Sequence, residues 1–426
     1  MKILCDLIYL GAGTTGSKAR TGVFRVVERL TQGLAATPGC ETWFHAFDHL
    51  WPSWVYYQEH LRNERTHFTL PPGRLAASRH LLALERFVQG TVQNRSLPLR
   101  ALRYGAIRYR DRVDALLSRL DPRLVQEMDV YHSAFLPIPK LVKRYPTVCR
   151  FTTVYDLIAL SHPQFFNANV QPMMRAIVGG FDEDDHALCI SAATRDALLA
   201  AAPRLRPERV SVTPLAAGPD FYPETDPARL AALRARLGLP PDAPYFLSLC
   251  TLEPRKNLDS VVRAFARLKA SGEVATDTRL VLVGNLGWRT ETLLAALEEA
   301  RPCRDAIVLT GFVPDEDLAA LYSGAQAFVY MSWMEGFGLP PLEAMQCGVP
   351  VICSNTSSLP EVVGDAGLLL APDDLDGIAA AMSSLANDEG RRHLLAARGL
   401  ERARLFSWER FVESNLAAYR AALATR

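Results

Sequence analysis

Residues 330–343 read Y-M-S-W-M-E-G-F-G-L-P-P-L-E, two glutamates on either side of a glycine–aromatic–glycine bend that runs into a proline-started helix. The apolar run Ala327 to Met331 predicts a buried strand, Gly336 and Gly338 permit a tight bend, and Pro340 suits the first turn of a helix. Unpaired backbone N–H groups at a helix start, with the positive end of the helix dipole, favour an anion such as a phosphate. Glu343, expected in the first helical turn, can accept two hydroxyl hydrogen bonds, and Glu335 faces whatever hangs from the phosphate. A sugar nucleotide fits that arrangement: diphosphate at the helix start, ribose on Glu343, sugar on Glu335. The same letters also fit an ordinary strand–turn–helix unit with one dipole-favouring and one solvated glutamate.

A second segment points the same way. An apolar strand, Tyr245 to Leu249, leads through Cys250-Thr-Leu-Glu-Pro-Arg-Lys-Asn257 into a helix whose Leu258, Val261, Val262, Phe265 and Leu268 share one face. Arg255 and Lys256 fall in the strand-to-helix connection, where a doubly wound sheet holds its ligand. There they can neutralise a diphosphate, the arginine by a two-pronged contact and the lysine as a point charge. A solvated surface pair is the alternative.

These motifs, followed by Leu280 to Gly284, Leu309 to Val313, Gly348-Val-Pro-Val-Ile352, Leu359-Pro-Glu-Val-Val-Gly-Asp-Ala-Gly367 and Phe406-Ser-Trp408, resemble in order the C-terminal half of the family 4 retaining glycosyltransferases. The resemblance implies a GT-B architecture: α/β, two Rossmann-like doubly wound βα domains facing across a cleft, with a nucleotide-sugar donor. On that pattern the domains are 1–216 on the acceptor side, a linker over 217–240, a donor domain over 241–405, and a last helix over 406–426 packing back on the first domain. Gly336, Phe337, Gly338, Leu339, Glu343, Phe312, Val313 and Gly22 become donor-binding residues. Glu335, Arg255, Lys256 and His132 become the catalytic set. Asp129-Val-Tyr-His-Ser133 and Thr153-Val-Tyr-Asp-Leu157 also resemble the family, but Tyr155 stands where many relatives have histidine, which leaves His132 as the histidine of these motifs able to touch the transferred sugar; Asp156 is expected to orient its loop.

Breaking a sugar–phosphate bond puts negative charge on the departing diphosphate, and donors fixed beside it lower the barrier. Arg255, Lys256 and the turn at Gly336 to Gly338 are the candidates. The resemblance implies front-face substitution with Glu335 orienting the sugar, a covalent nucleophile being the alternative role. It also implies no metal and no cofactor. Asp374-Leu-Asp376 and Asp182-Glu-Asp184 match the Asp-x-Asp spelling of metal-dependent transferases but read as solvated surface charge.

The 426 residues suggest two or three domains, and 47 basic against 46 acidic side chains exclude a dominant nucleic-acid footprint. No run reaches the roughly 20 apolar residues that cross a bilayer, and Met1 to Leu4 opens a strand, so the cytoplasm is the expected address. Eight cysteines without a Cys-x-x-Cys pair read as reduced, buried thiols. Further strands are expected at Ile3 to Leu10, Thr42 to Phe47, Val130 to His132, Thr147 to Val154, Ala187 to Ile190 and Val210 to Val212, with a helix from about Gly22 and Ser191 capping another. Gly11-Ala-Gly-Thr-Thr-Gly16 spells the dinucleotide pattern, but its helix begins nearer Gly22 and no acid precedes Asp48 in the next strand, against a nicotinamide site. By resemblance this loop lines the cleft.

Ten arginines between Arg74 and Arg119 (those at 86 and 95 among them) face three acids, a net +7 with interleaved Leu, Phe and Tyr. A solvated amphipathic helix and a basic surface for an anionic membrane or lipid diphosphate both fit. The reading favoured is a hexosyltransferase using a nucleoside-diphosphate sugar on a saccharide or lipid-linked acceptor; the resemblance, in its details to bacterial surface-polysaccharide and lipopolysaccharide enzymes, implies GDP-mannose as the best choice of donor. A sugar-nucleotide isomerase or a non-catalytic binding relative are the alternatives.

Overall fold

Short apolar runs alternating with amphipathic helices assemble into two all-parallel sheets. The computed structural model describes residues 1–11, 22–47, 49–70, 73–75, 79–80, 83–84, 87, 96–166 and 170–426. Residues 12–16 of the glycine pattern, Thr21, Asp48 and the arginines at 86 and 95 lie outside that set.

The first sheet comprises β1 (Lys2–Asp6), β2 (Glu41–His45), β3 (Thr66–Phe68), β4 (Val130–Ser133), β5 (Cys149–Val154), β6 (His186–Cys189) and β7 (Val210–Val212), in the order β3-β2-β1-β4-β5-β6-β7. The second comprises β8 (Tyr245–Leu249), β9 (Arg279–Val283), β10 (Ile307–Gly311), β11 (Ala327–Tyr330), β12 (Val351–Ser354) and β13 (Gly367–Leu370), in the order β10-β9-β8-β11-β12-β13. Parallel strands covered by helices on both faces are apolar throughout, as β5 and β12, buried at every residue, illustrate. Strand order reverses between β1 and β4 and again between β8 and β11, and a parallel sheet opens a crevice at the carboxyl ends of such a pair.

The strand expected over Ile3 to Leu10 stops at Asp6, because the Asp6 Oδ1 accepts the Ile8 N–H at 2.9 Å and residues 8–11 coil into a helical turn. Ser191 caps its helix as expected, accepting the Thr194 N–H at 3.0 Å. Cys5, Cys40, Cys149, Cys189, Cys347 and Cys353 are buried free thiols, while Cys250 and Cys303 are partly covered.

Helix Trp408–Ala424 crosses back from the second lobe to the first. Its Val412 packs where a Gly33 side chain would stand, and its Tyr419 ring lies 4.8 Å from that of Phe151 on β5. Among the described residues no helix is long and apolar enough to cross a membrane. Helix Leu97–Leu117, in the arginine-rich stretch, leaves Leu102, Tyr104, Tyr109 and Leu116 more than half exposed.

Candidate active site

The loops after β8 and β11 flank the reversal point of the second sheet, and a cavity of about 500 Å³ opens between them and the first lobe. Glu335, Arg255, Lys256, Gly22, Phe312, Val313, Gly336, Phe337, Gly338, Leu339 and Glu343 all line it.

Arg255 and Lys256 sit in a single helical turn, Pro254–Lys256, that ends at Asn257 in the left-handed region at φ 53°. The Asn257 side chain secures that turn by donating to Pro372 O at 2.6 Å. Both cations converge on Glu335. Its Oε1 accepts Lys256 Nζ at 2.6 Å, the Tyr330 hydroxyl at 2.8 Å and Ser332 Oγ at 2.7 Å, and its Oε2 lies 2.9 Å from Arg255 NH1. Burial alone would raise this carboxyl, but the Arg255 and Lys256 charges outweigh it and hold Glu335 at about 2. Arg255 also forks onto Glu253 Oε1 at 2.8 and 3.1 Å and donates to Met334 O at 2.7 Å. Two cations and two carboxylates therefore balance. Lys256 Nζ also donates to the Tyr330 hydroxyl at 2.7 Å, so after these bonds each cation keeps about one N–H free for a further acceptor.

The bend after Glu335 brings the lobes together. A Cβ on Gly336 would stand 2.3 Å from Tyr155 O of the first lobe, and Thr194 Oγ1 donates across to Gly336 O at 3.2 Å. Gly338, at φ 120°, starts helix Leu339–Gln346. Pro340 and Pro341 have no N–H, so an anion here meets the amides of the glycine bend and Leu339 rather than a full first turn.

Glu343 is in the second turn of that helix, not the first. Its Oε2 accepts the Tyr322 hydroxyl at 3.1 Å, and its Oε1 lies 3.3 Å from Arg25 NH1 of the first lobe, whose NH2 holds Asp315 at 3.0 Å. Burial pushes the Glu343 carboxyl up to about 7, with Arg25 and Tyr322 working against the rise.

His132 is not brought to the cavity. It lies within β4, a central strand, paired with Cys5 on one side and Phe151 on the other, and the strand's alternation turns its ring towards helix Trp408–Ala424. There it is fully buried between the Tyr419 hydroxyl and Thr153 Oγ1, the latter at 2.8 Å, and burial depresses it to about 3, so the ring is neutral. Asp156 does line the cavity, and its Oδ1 accepts the Ile158 N–H at 3.0 Å, fixing the loop. Of the Asp-x-Asp acids, Asp374 caps helix Leu375–Asn387, Asp376 pairs with Arg267, and Asp182 pairs with Lys143 and Arg204. Glu253, Arg25, Tyr322, Tyr330 and Ser332 were missed as site residues; Glu253, Tyr330 and Ser332 stood inside quoted motifs, while nothing local marked Arg25 and Tyr322.

The family model for "Glycosyl transferases group 1" matches residues 231–402. The O-antigen chain mannosyltransferase B of Escherichia coli is 36% identical over 296 residues, 68% of this chain and 74% of that one. The serotype-specific mannosyltransferase WbdA of Escherichia coli is 37% identical over 181 residues, 42% of this chain but 22% of its own length, so the chain spans only a fraction of that relative. Among solved structures, Anabaena Alr3699/HepE in complex with UDP superposes with a TM-score of 0.67 over 99% of both chains at 16% identity, a likeness of fold.

Proposed function

The chain belongs to the group 1 glycosyl transferases and has their GT-B fold, and on that premise we propose that it transfers a hexose, with retention of configuration, from a nucleoside-diphosphate sugar to a saccharide or lipid-linked saccharide. The observation that carries this reading is the Glu335-centred cluster. Arg255 and Lys256 are locked beside the glycine bend, each with an N–H to spare for a diphosphate. A cluster already neutral reorganises little when negative charge develops on the leaving group, which is where electrostatic stabilisation is most effective. Glu343 then takes the ribose, and Phe312, 49% exposed at the cavity rim, offers a face to the base.

Glu335 orients the sugar in this reading. A carboxylate held at about 2, with four donors on its two oxygens, is a weak nucleophile and a weak base, which favours front-face substitution over a glycosyl-enzyme intermediate. Its basic neighbours take the charge-neutralising part a divalent ion would otherwise play, so the proposed reaction needs no metal and proceeds in chelator. Mannose from GDP-mannose is the proposed donor, on the strength of the two Escherichia coli mannosyltransferases. A cytoplasmic site with peripheral contact to an anionic membrane is supported by exposed Leu102, Tyr104, Tyr109 and Leu116 among arginines, and salt-sensitive binding to anionic vesicles tests it.

The deciding experiment incubates the protein with GDP-mannose and a mannosylated acceptor and follows free GDP. Release only when acceptor is present supports transfer, and release without it or none with any donor–acceptor pair refutes it. Lys256→Ala and Glu335→Gln are each expected to lower kcat by about 100-fold or more.

A further inference from the structure

Among the groups around Glu343, one comes from the wrong lobe. Arg25 projects from helix Gly22–Ala36 of the first lobe, yet its two terminal nitrogens rest on Glu343 and Asp315 of the second, and its guanidinium carbon sits 6.0 Å from the Phe221 ring centre. An ionised carboxylate offers about four lone-pair positions, two on each oxygen. Tyr322 takes one on Oε2 and Arg25 one on Oε1, so one remains on each oxygen. Two acceptor positions side by side on a rigid, 5% exposed carboxylate match two neighbouring hydroxyls.

We infer that Arg25 is a positioning residue that completes a vicinal-diol reader at Glu343, so that recognition of the ribose, and discrimination against a 2′-deoxyribose, is made only when the two lobes are closed. This rests on the donor reading above and deepens it. Arg25 orients one oxygen and works against the rise that burial imposes on the carboxyl; both effects vanish when the lobes part. The charged and titratable groups facing Glu343 are Arg25, Glu28 and Arg29 from the first-lobe helix, Asp220 from the linker, Asp315 and Tyr322 from helix Asp315–Ser323, and Cys347 at the end of its own helix. Arg25 is the cation among them in contact with it.

The test measures binding of GDP and UDP and of their 2′-deoxy forms by calorimetry to the intact protein, Arg25→Met and Arg25→Lys, at pH 6 and 8.5. The unsubstituted protein is expected to prefer the ribo form by about tenfold, the worth of one hydrogen bond to a charged group. In Arg25→Met the ribonucleotide weakens by about tenfold at pH 6 and partly recovers at pH 8.5, while the deoxy form changes little. Arg25→Lys restores most of the preference by returning the charge. A ribo preference unchanged in Arg25→Met overturns the proposal and leaves the donor reading intact. Equal loss of ribo and deoxy binding also overturns it, showing that Arg25 serves closure alone. If the unsubstituted protein binds neither diphosphate, the donor reading itself falls.

Discussion

At Gly336 the absent side chain is what lets the lobes touch. Any Cβ would sit 2.3 Å from Tyr155 O, a backbone atom that cannot step aside, so Gly336→Ala is expected to hold the cleft ajar. Its signature is kcat/KM reduced by about 100-fold with thermal stability nearly unchanged, measured by donor-saturation kinetics and calorimetry. Tyr419→Phe should do the reverse. It strips a buried His132 nitrogen of its partner, which costs about 1–3 kcal/mol in urea titration, while turnover per folded molecule stays the same. The two glutamates have opposite acid responses. Glu335 sits at about 2 against an ordinary 4.5, so its contribution to stability is present above pH 4.5 and is lost as pH falls towards 2; Glu343, at about 7, contributes most below pH 4.5 and less as pH rises to 7. Urea midpoints across pH 2 to 5 should therefore fall less steeply in Glu335→Gln. Glu335, Arg255 and Lys256 were legible in the sequence because each stands in a short loop beside its own strand. Arg25 was not, since its partner Glu343 lies 318 positions away and no local pattern encodes that pairing. His132 was misplaced because a four-residue strand does not announce which face a distant helix will cover.

At the scale of elements, the long apolar strands and amphipathic helices declared themselves through period, and their boundaries moved by a few residues where a side chain intervened, as Asp6 does. β3 and β13 escaped notice. Each is an edge strand of three or four residues, too short for periodicity to separate it from a loop. Helix Trp408–Ala424 carries the clearest element-level prediction. It brings Phe411, Leu416 and Tyr419, all nearly fully buried, to the first lobe. Truncation after residue 407 should speed amide exchange in β5 and helix Gly22–Ala36 by orders of magnitude while β9 and β12 keep their protection, measured by hydrogen-exchange mass spectrometry.

Across the whole molecule, the two alternating halves foretold two sheets, and the reversal points located the cleft. What the sequence could not display is how the halves grip one another. Glu361 of the second lobe accepts the Ala192 and Ala193 N–H groups at 2.8 and 3.0 Å, capping a first-lobe helix, and Trp288 Nε1 donates to Phe165 O at 2.8 Å. Glu361→Ala leaves those amides to water and should shift the population towards open forms, read as a larger radius of gyration by small-angle scattering and a red-shifted Trp288 emission that a bound nucleoside diphosphate reverses. The return of the chain to its starting lobe also sets an order of assembly. Because Tyr419 and its neighbours are translated after every strand of both sheets, the ribosome exposes an unfinished first lobe, with Phe151 and the Gly33 groove bare, throughout synthesis of the second. The nascent chain is thus expected to engage chaperones until helix Trp408–Ala424 emerges.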